Sequence, residues 1–161
     1  MKLNEVGDLI RKSVDFALSG SSLTCDCTIA DDLQHVEIDE GQIRQVINSL
    51  VINAQEAMPE GGSIKVSAEM TELGKESGTP LDPGAYVKIS IEDSGVGIPE
   101  EDQQRVFDPF FTTKSTGSGL GLATSFTIIQ KHRGYIATTS EVGVGARFDI
   151  YLPACEKKTP N

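Results

Sequence analysis

The chain has little of what several classes of function require. In its 161 residues no apolar run approaches the roughly 18 residues of a membrane-spanning helix. No basic-then-apolar leader opens it either. Positive charge is scarce: 14 Lys and Arg against 24 Asp and Glu leave a formal net charge of −10. Nucleic acid needs a basic surface, so non-specific binding to it is disfavoured, whereas one anionic ligand needs only a local positive site. Cys25, Cys27 and Cys155 make an odd number and give no disulfide framework. Cys-x-Cys without further ligands is also a weak metal motif. Cys25 and Cys27 share one face of an alternating segment and are expected as small reduced core residues of a cytoplasmic protein.

What is present is ordinary for a soluble globular chain, with 38% apolar and 24% charged residues. The length fits a single domain over residues 1–161, with its core in 4–153 and a frayed tail in 154–161. Val6, Leu9, Ile10, Val14 and Ala17 have helical spacing, which predicts a helix over 4–19 capped by Asn4. Residues 23–30 alternate as a strand, and 36–38 form a second short one at best. Asp39 caps a helix whose apolar stripe is Ile43, Val46, Ile47, Leu50, Ala54, Ala57 and Met58. Asn53 lies on or beside that stripe. Its amide either finds partners inside the core or turns its oxygen toward a ligand or ion in a pocket. Pro59-Glu60-Gly61-Gly62 stops the helix. A strand over 63–70, a polar surface loop over 71–85 and a strand over 86–92 follow.

That last strand ends in Asp93-Ser94-Gly95-Val96-Gly97-Ile98-Pro99. Such a heptapeptide is either a tight turn with a solvated carboxylate or one wall of a ligand site. In the second case Asp93, an acceptor, takes a hydrogen bond from a ligand amino group. Gly95 and Gly97 then leave the backbone bare for a flat ring. Pro99 opens a short helix. Residues 107–122 are aromatic first (Phe107, Phe110, Phe111) and then rich in glycine and hydroxyls around Lys114, which fits a flap with an aromatic latch. Gly117, Gly119, Leu120 and Gly121 lead into a helix reaching His132. A glycine-rich loop at a helix N-terminus offers free N–H groups and a positive dipole end to phosphate. Strands over 135–139 and 146–152 finish the chain.

One pocket accounts for these features: a purine nucleoside triphosphate site. Asp93 takes the adenine amine, the second glycine turn and Lys114 hold the phosphates, and Asn53 gives an oxygen to Mg²⁺. Glu56, one turn past Asn53, is either a contact to metal-bound water or a solvated helix residue.

In order and spacing these motifs resemble the ATP-binding catalytic domain of sensor histidine kinases, in the superfamily of DNA gyrase B, Hsp90 and MutL. The N box resembles 45–54, the G1 box 93–97, the F box 107–111, the G2 box 117–122 and the final glycine motif 143–148. Ala57-Met58-Pro59-Glu60-Gly61-Gly62 and Phe110-Phe111-Thr112-Thr113-Lys114 are similar to the nitrogen-regulator subtype. The resemblance implies an α/β (α+β) two-layer sandwich of the Bergerat type. Its mixed, largely antiparallel sheet would have about five strands, three main helices on one face and a mobile ATP lid. It also implies ATP and Mg²⁺ as cofactors, and transfer of the γ-phosphoryl group to a histidine on a separate helical dimerisation domain. A response regulator lies downstream, and Phe107, Phe110 and Phe111 latch onto the helical domain.

Two positions depart from the family pattern. Ser49 stands where a second asparagine is frequent, and Ala146 where a threonine is frequent. The superfamily's hydrolases carry a glutamate base at the first position; serine cannot serve so at neutral pH, which disfavours fast hydrolysis. Neither His35 nor His132 resembles a phosphoacceptor motif, so the chain is expected to be the catalytic piece of a longer kinase. The alternatives are a nucleotide-binding regulatory module without turnover and a hydrolytic ATPase of the same superfamily.

Overall fold

A computed structural model describes residues 2–76, 78–103, 105–108 and 121–155. The strands are β1 (Lys2–Asn4), β2 (Thr24–Ile29), β3 (His35–Ile38), β4 (Ser63–Leu73), β5 (Gly84–Asp93), β6 (Tyr135–Glu141) and β7 (Gly145–Cys155). The helices are α1 (Val6–Leu18), α2 (Glu40–Ala57), α3 (Glu100–Gln103) and α4 (Gly121–Lys131). The sheet order is β1-β3-β7-β5-β4-β2, with β6 paired to β7. Pairing is antiparallel except between β2 and β4. A parallel pair needs a long crossover, and α2 lies on it. The mixed, largely antiparallel sheet is as expected.

Among the described residues seven strands stand where about five were anticipated, because short pairings at the N-terminal corner add β1 and fix β3. Asn4 pairs with Val36 as the last residue of β1, so it does not cap α1; Glu5 holds the cap position without a side-chain hydrogen bond. Ala154 and Cys155, assigned to the tail by their place after Pro153, extend β7 and pair with Val36 and His35. By contrast Asp39 caps α2 as its chemistry dictates, accepting from the Gln42 N–H at 3.1 Å.

α2 is the centre of the helical layer, packed between α1 and α4. Its Ile43, Val46, Ile47, Leu50 and Val51 are buried against the inner sheet residues Val66, Ile89, Ile91, Phe148 and Ile150. Each such side chain contributes about 2 kcal/mol on removal from water. Among the described residues the other sheet face carries no such layer. There Asp26, Lys65, Glu92 and Arg147 line up across β2, β4, β5 and β7, so charges of opposite sign alternate along one cross-strand row. A sheet with one apolar and one polar face needs only one helical cover. That leaves the strand ends, where Asp93 stands, free to carry a site.

Candidate functional site

Asp93 ends β5 on its inner face and is only 6% exposed. Its Oδ1 accepts the N–H of Gly95 at 2.8 Å and that of Ala146 at 3.3 Å. The carboxylate is thus fixed from two directions, by its own loop and by β7. A carboxylate has about four lone-pair sites, so it can accept from several donors at once.

The glycines around it are explained by the chain itself. A Cβ on Gly95 would collide with the Ala57 carbonyl, and one on Gly97 with that of Glu141. Gly97 also has φ +78°, a conformation glycine adopts at little cost. A Cβ on Gly145 would strike the carbonyl of Asp93 itself. The close approach they permit is therefore of backbone to backbone. The Val96 N–H donates to the Ala57 carbonyl and the Gly143 N–H to the Val96 carbonyl, welding the 94–98 loop to the end of α2 and to the β6–β7 turn.

α2 joins this loop to the start of α4. Ser49, Asn53 and Ala57 are four residues apart and form one line along the helix, about 12 Å long at 1.5 Å per residue. Ala57 touches the Asp93 loop, and Ser49 lies beneath Gly121, its Oγ 3.7 Å from where a Cβ on that glycine would be. Asn53 is half-buried between them. So Asp93, Asn53 and Gly121, far apart in sequence, are brought along one edge of α2. Glu56 is exposed, on the solvent side of the same turn. The expected roles of Phe110, Phe111, Lys114, Gly117, Gly119 and Leu120 fall outside the described residues.

Phe107 is turned inward. Its ring stacks on Phe126 at 5.6 Å and meets Phe148 edge-on at 6.2 Å, which ties the segment after α3 to α4 and β7. Expected as part of a latch toward a partner, it is here a contact of the chain with its own core. His132 is 4% exposed at the end of α4. Its Nε2 accepts the Asp39 N–H at 3.0 Å and its Nδ1 donates to the Ile128 carbonyl at 2.8 Å. These bonds need the neutral ring with its proton on Nδ1. That is a structural role.

Ser140 and Gln103, which hold the far side of the 94–98 loop, carried no signal in the sequence. A serine before a glycine turn and a glutamine in an acidic helix are unremarkable by type. An open cleft of about 610 Å³ lies at the other end of β5, against Pro80, Leu81, Tyr86 and Arg133, away from Asp93. Among the described residues no group of at least three His, Cys, Asp or Glu forms a metal cluster.

Residues 38–156 match the family described as histidine kinase-, DNA gyrase B-, and HSP90-like ATPase, and the chain belongs to that family. Membership implies ATP binding. Among curated relatives, the sensor kinase CckA of Brucella abortus is 42% identical over 127 residues, covering 76% of this chain and 13% of the relative. Sporulation kinase E of Bacillus subtilis is 33% identical over 151 residues, covering 92% of this chain and 19% of the relative. The chain thus spans less than a quarter of either protein. Among solved structures, the nucleotide-free catalytic domain of histidine kinase ThkA superposes with a TM-score of 0.75 at 31% identity, covering 96% of this chain and 97% of that one. Full-length ShkA in complex with AMPPNP superposes at 0.76 with 22% identity and shares the fold.

Proposed function

We propose that the chain binds Mg-ATP along α2 and transfers the γ-phosphoryl group to a histidine on a helical phosphoacceptor domain of a sensor histidine kinase. The observation that carries this reading is the line Ser49–Asn53–Ala57, which sets the buried, oriented Asp93 at one end and the N-terminus of α4 at the other. Base recognition belongs to the Asp93 end, and phosphate binding to the α4 end, where helix N–H groups favour anions. Lys114 supplies the added positive charge. The acceptor histidine attacks the γ-phosphorus in line, its bond to phosphorus forming as the bridging oxygen departs with ADP. Positioning and charge neutralisation then carry most of the catalysis. A response regulator would take the phosphoryl group onward, in the cytoplasm.

The protein residues fit magnesium as a passenger of the triphosphate. A half-buried amide on α2 is a hard oxygen donor, and Mg²⁺ usually keeps waters and phosphates as its other ligands. Asn53 would hold the ion, with Glu56 within one turn to receive a hydrogen bond from a metal-bound water. The ion would supply charge neutralisation at the phosphates. Ser49, beside Gly121, cannot take a proton from water at neutral pH, so transfer is favoured over hydrolysis.

Calorimetric titration with ATP and with GTP, each with and without Mg²⁺, tests the site. ATP is expected to bind more tightly than GTP, and Asp93→Asn and Asn53→Ala to lose tight binding. Unchanged affinity in either variant refutes its assignment. Incubation with a supplied phosphoacceptor hairpin then separates the kinase from a binding module without turnover, and rapid hydrolysis without acceptor would point to an ATPase.

A further inference from the structure

Ser140 on β6 and Gln103 at the end of α3 lie outside the site as described, yet both hydrogen-bond to main chain that borders it. The Ser140 hydroxyl accepts the Ile98 N–H at 2.6 Å and donates to the Gly145 carbonyl at 2.9 Å. One proton and two lone pairs allow both bonds at once. The Gln103 amide donates to the Ile98 carbonyl and to the Ser140 carbonyl, each at 3.0 Å. Both backbone groups of Ile98 are therefore clamped.

The Gly145 carbonyl that Ser140 holds and the Ala146 N–H that holds Asp93 Oδ1 belong to the same peptide group. A peptide unit is planar and trans, so its oxygen and its N–H point in opposite directions. Fixing the oxygen fixes the N–H. Gly145 has φ +146° and no side chain to restrain this plane, so the Ser140 hydrogen bond adds to the restraint of the β6–β7 pairing.

We propose that Ser140, supported by Gln103, is a positioning residue: through the 145–146 peptide it sets the orientation of the Asp93 carboxylate and hence the preference for adenine over guanine nucleotides. This rests on the nucleotide site proposed above. Ser140 does not touch the base, and it acts through Asp93.

The test compares the wild-type chain with Ser140→Ala, Ser140→Thr and Gln103→Leu by two readouts. The first is amide hydrogen exchange at Gly95 and Ala146 followed by NMR, and the second the ratio of ATP to GTP affinity by calorimetry. Ser140→Ala should speed exchange at Ala146 and cut the ratio, each by about tenfold, the size of one hydrogen bond's net contribution. Ser140→Thr, which keeps the hydroxyl, should restore both, and Gln103→Leu should move both less, in the same direction as Ser140→Ala. A lower melting temperature with unchanged exchange and ratio would overturn the proposal and leave Ser140 merely structural. If Ser140→Ala does not fold, unchanged values in Gln103→Leu overturn it equally. A wild-type chain without preference for ATP over GTP would sink the Asp93 assignment itself, and with it the nucleotide part of the proposal. The exchange arm would still show whether Ser140 orients the peptide.

Discussion

The two ends of β5 are built by opposite rules. At the Asp93 end, glycines exist because backbone meets backbone: Gly95 against Ala57, Gly97 against Glu141, Gly145 against Asp93. At the Tyr86 end stand Gly74 and Gly78, between β4 and β5, and Gly84, the first residue of β5, and a Cβ on any of them would meet nothing within 4 Å. There the surface opens into the cleft beside Leu81 and Arg133. Gly78 and Gly84 are set instead by φ of +78° and +154°, and Gly74 has neither constraint. A site that must hold a carboxylate still is thus made from packed main chain, which has few ways to rearrange.

The sharpest way to break the contrast is to add one methyl group at each end. Gly95→Ala should cost about 3 kcal/mol, because the atom it meets is a carbonyl oxygen that cannot move without shifting α2. Gly74→Ala should stay within about 0.5 kcal/mol, as expected of a surface position without contacts. Denaturant midpoints measured on the two variants check this, and equal shifts would remove the distinction. Next in size is His132, which ties the far end of α4 to the start of α2. His132→Phe leaves the Asp39 N–H and the Ile128 carbonyl without that partner, an expected loss of about 2 kcal/mol. Nucleotide affinity should not change, since the bond lies at the opposite end of both helices from Gly121 and Ala57.

These effects separate what the sequence disclosed from what it could not. Periodicity located α2 and its stripe, and Asp39 announced its cap, because both are local consequences of residue type. Asp93 stood out because a carboxylate between an apolar strand and two glycines is hard to explain as packing. The purpose of those glycines was not legible: their neighbours, Ala57 and Glu141, are distant in the chain, and spacing carries no record of tertiary contact. Phe107 misled for a related reason. An aromatic in a glycine-rich segment suggests exposure until the fold brings Phe126 and Phe148 to it. Ser140 and Gln103 were silent, since their hydrogen bonds go to main chain that any residue offers. β1 escaped notice because so short a strand is defined by its partner.

A smaller effect sits at the Tyr86 end. Arg133 closes α4 at φ +60°, the left-handed conformation in which a side chain is strained, while Gly134 follows it because a Cβ there would strike the Tyr151 carbonyl. Arg133→Gly relieves the strain but adds freedom to the unfolded chain, so a net gain of about 0.5 kcal/mol is expected in the same denaturation assay.

A last test asks how far the packing at the Asp93 end extends across the sheet. The inner row that contains Asp93 runs through Ile64 to Cys25 on the edge strand β2. Burial, and then the neighbouring Cys27, Asp15 and Asp26, push the Cys25 thiol up from 9.0 to about 11. Between those values the folded chain keeps a proton that the unfolded chain releases. The stability this contributes is therefore complete below pH about 9 and is lost as pH rises toward 11. The thiolate is the reactive form, so Cys25 should alkylate far more slowly than a free thiol at pH about 8.5. Its rate should climb toward pH about 11, and urea should abolish the lag. Mass mapping of iodoacetamide adducts against pH reads this directly. Ordinary reactivity at pH about 8.5 in the folded chain would mean that the edge of the Asp93 row is open to water, and that the tight packing stops at β4.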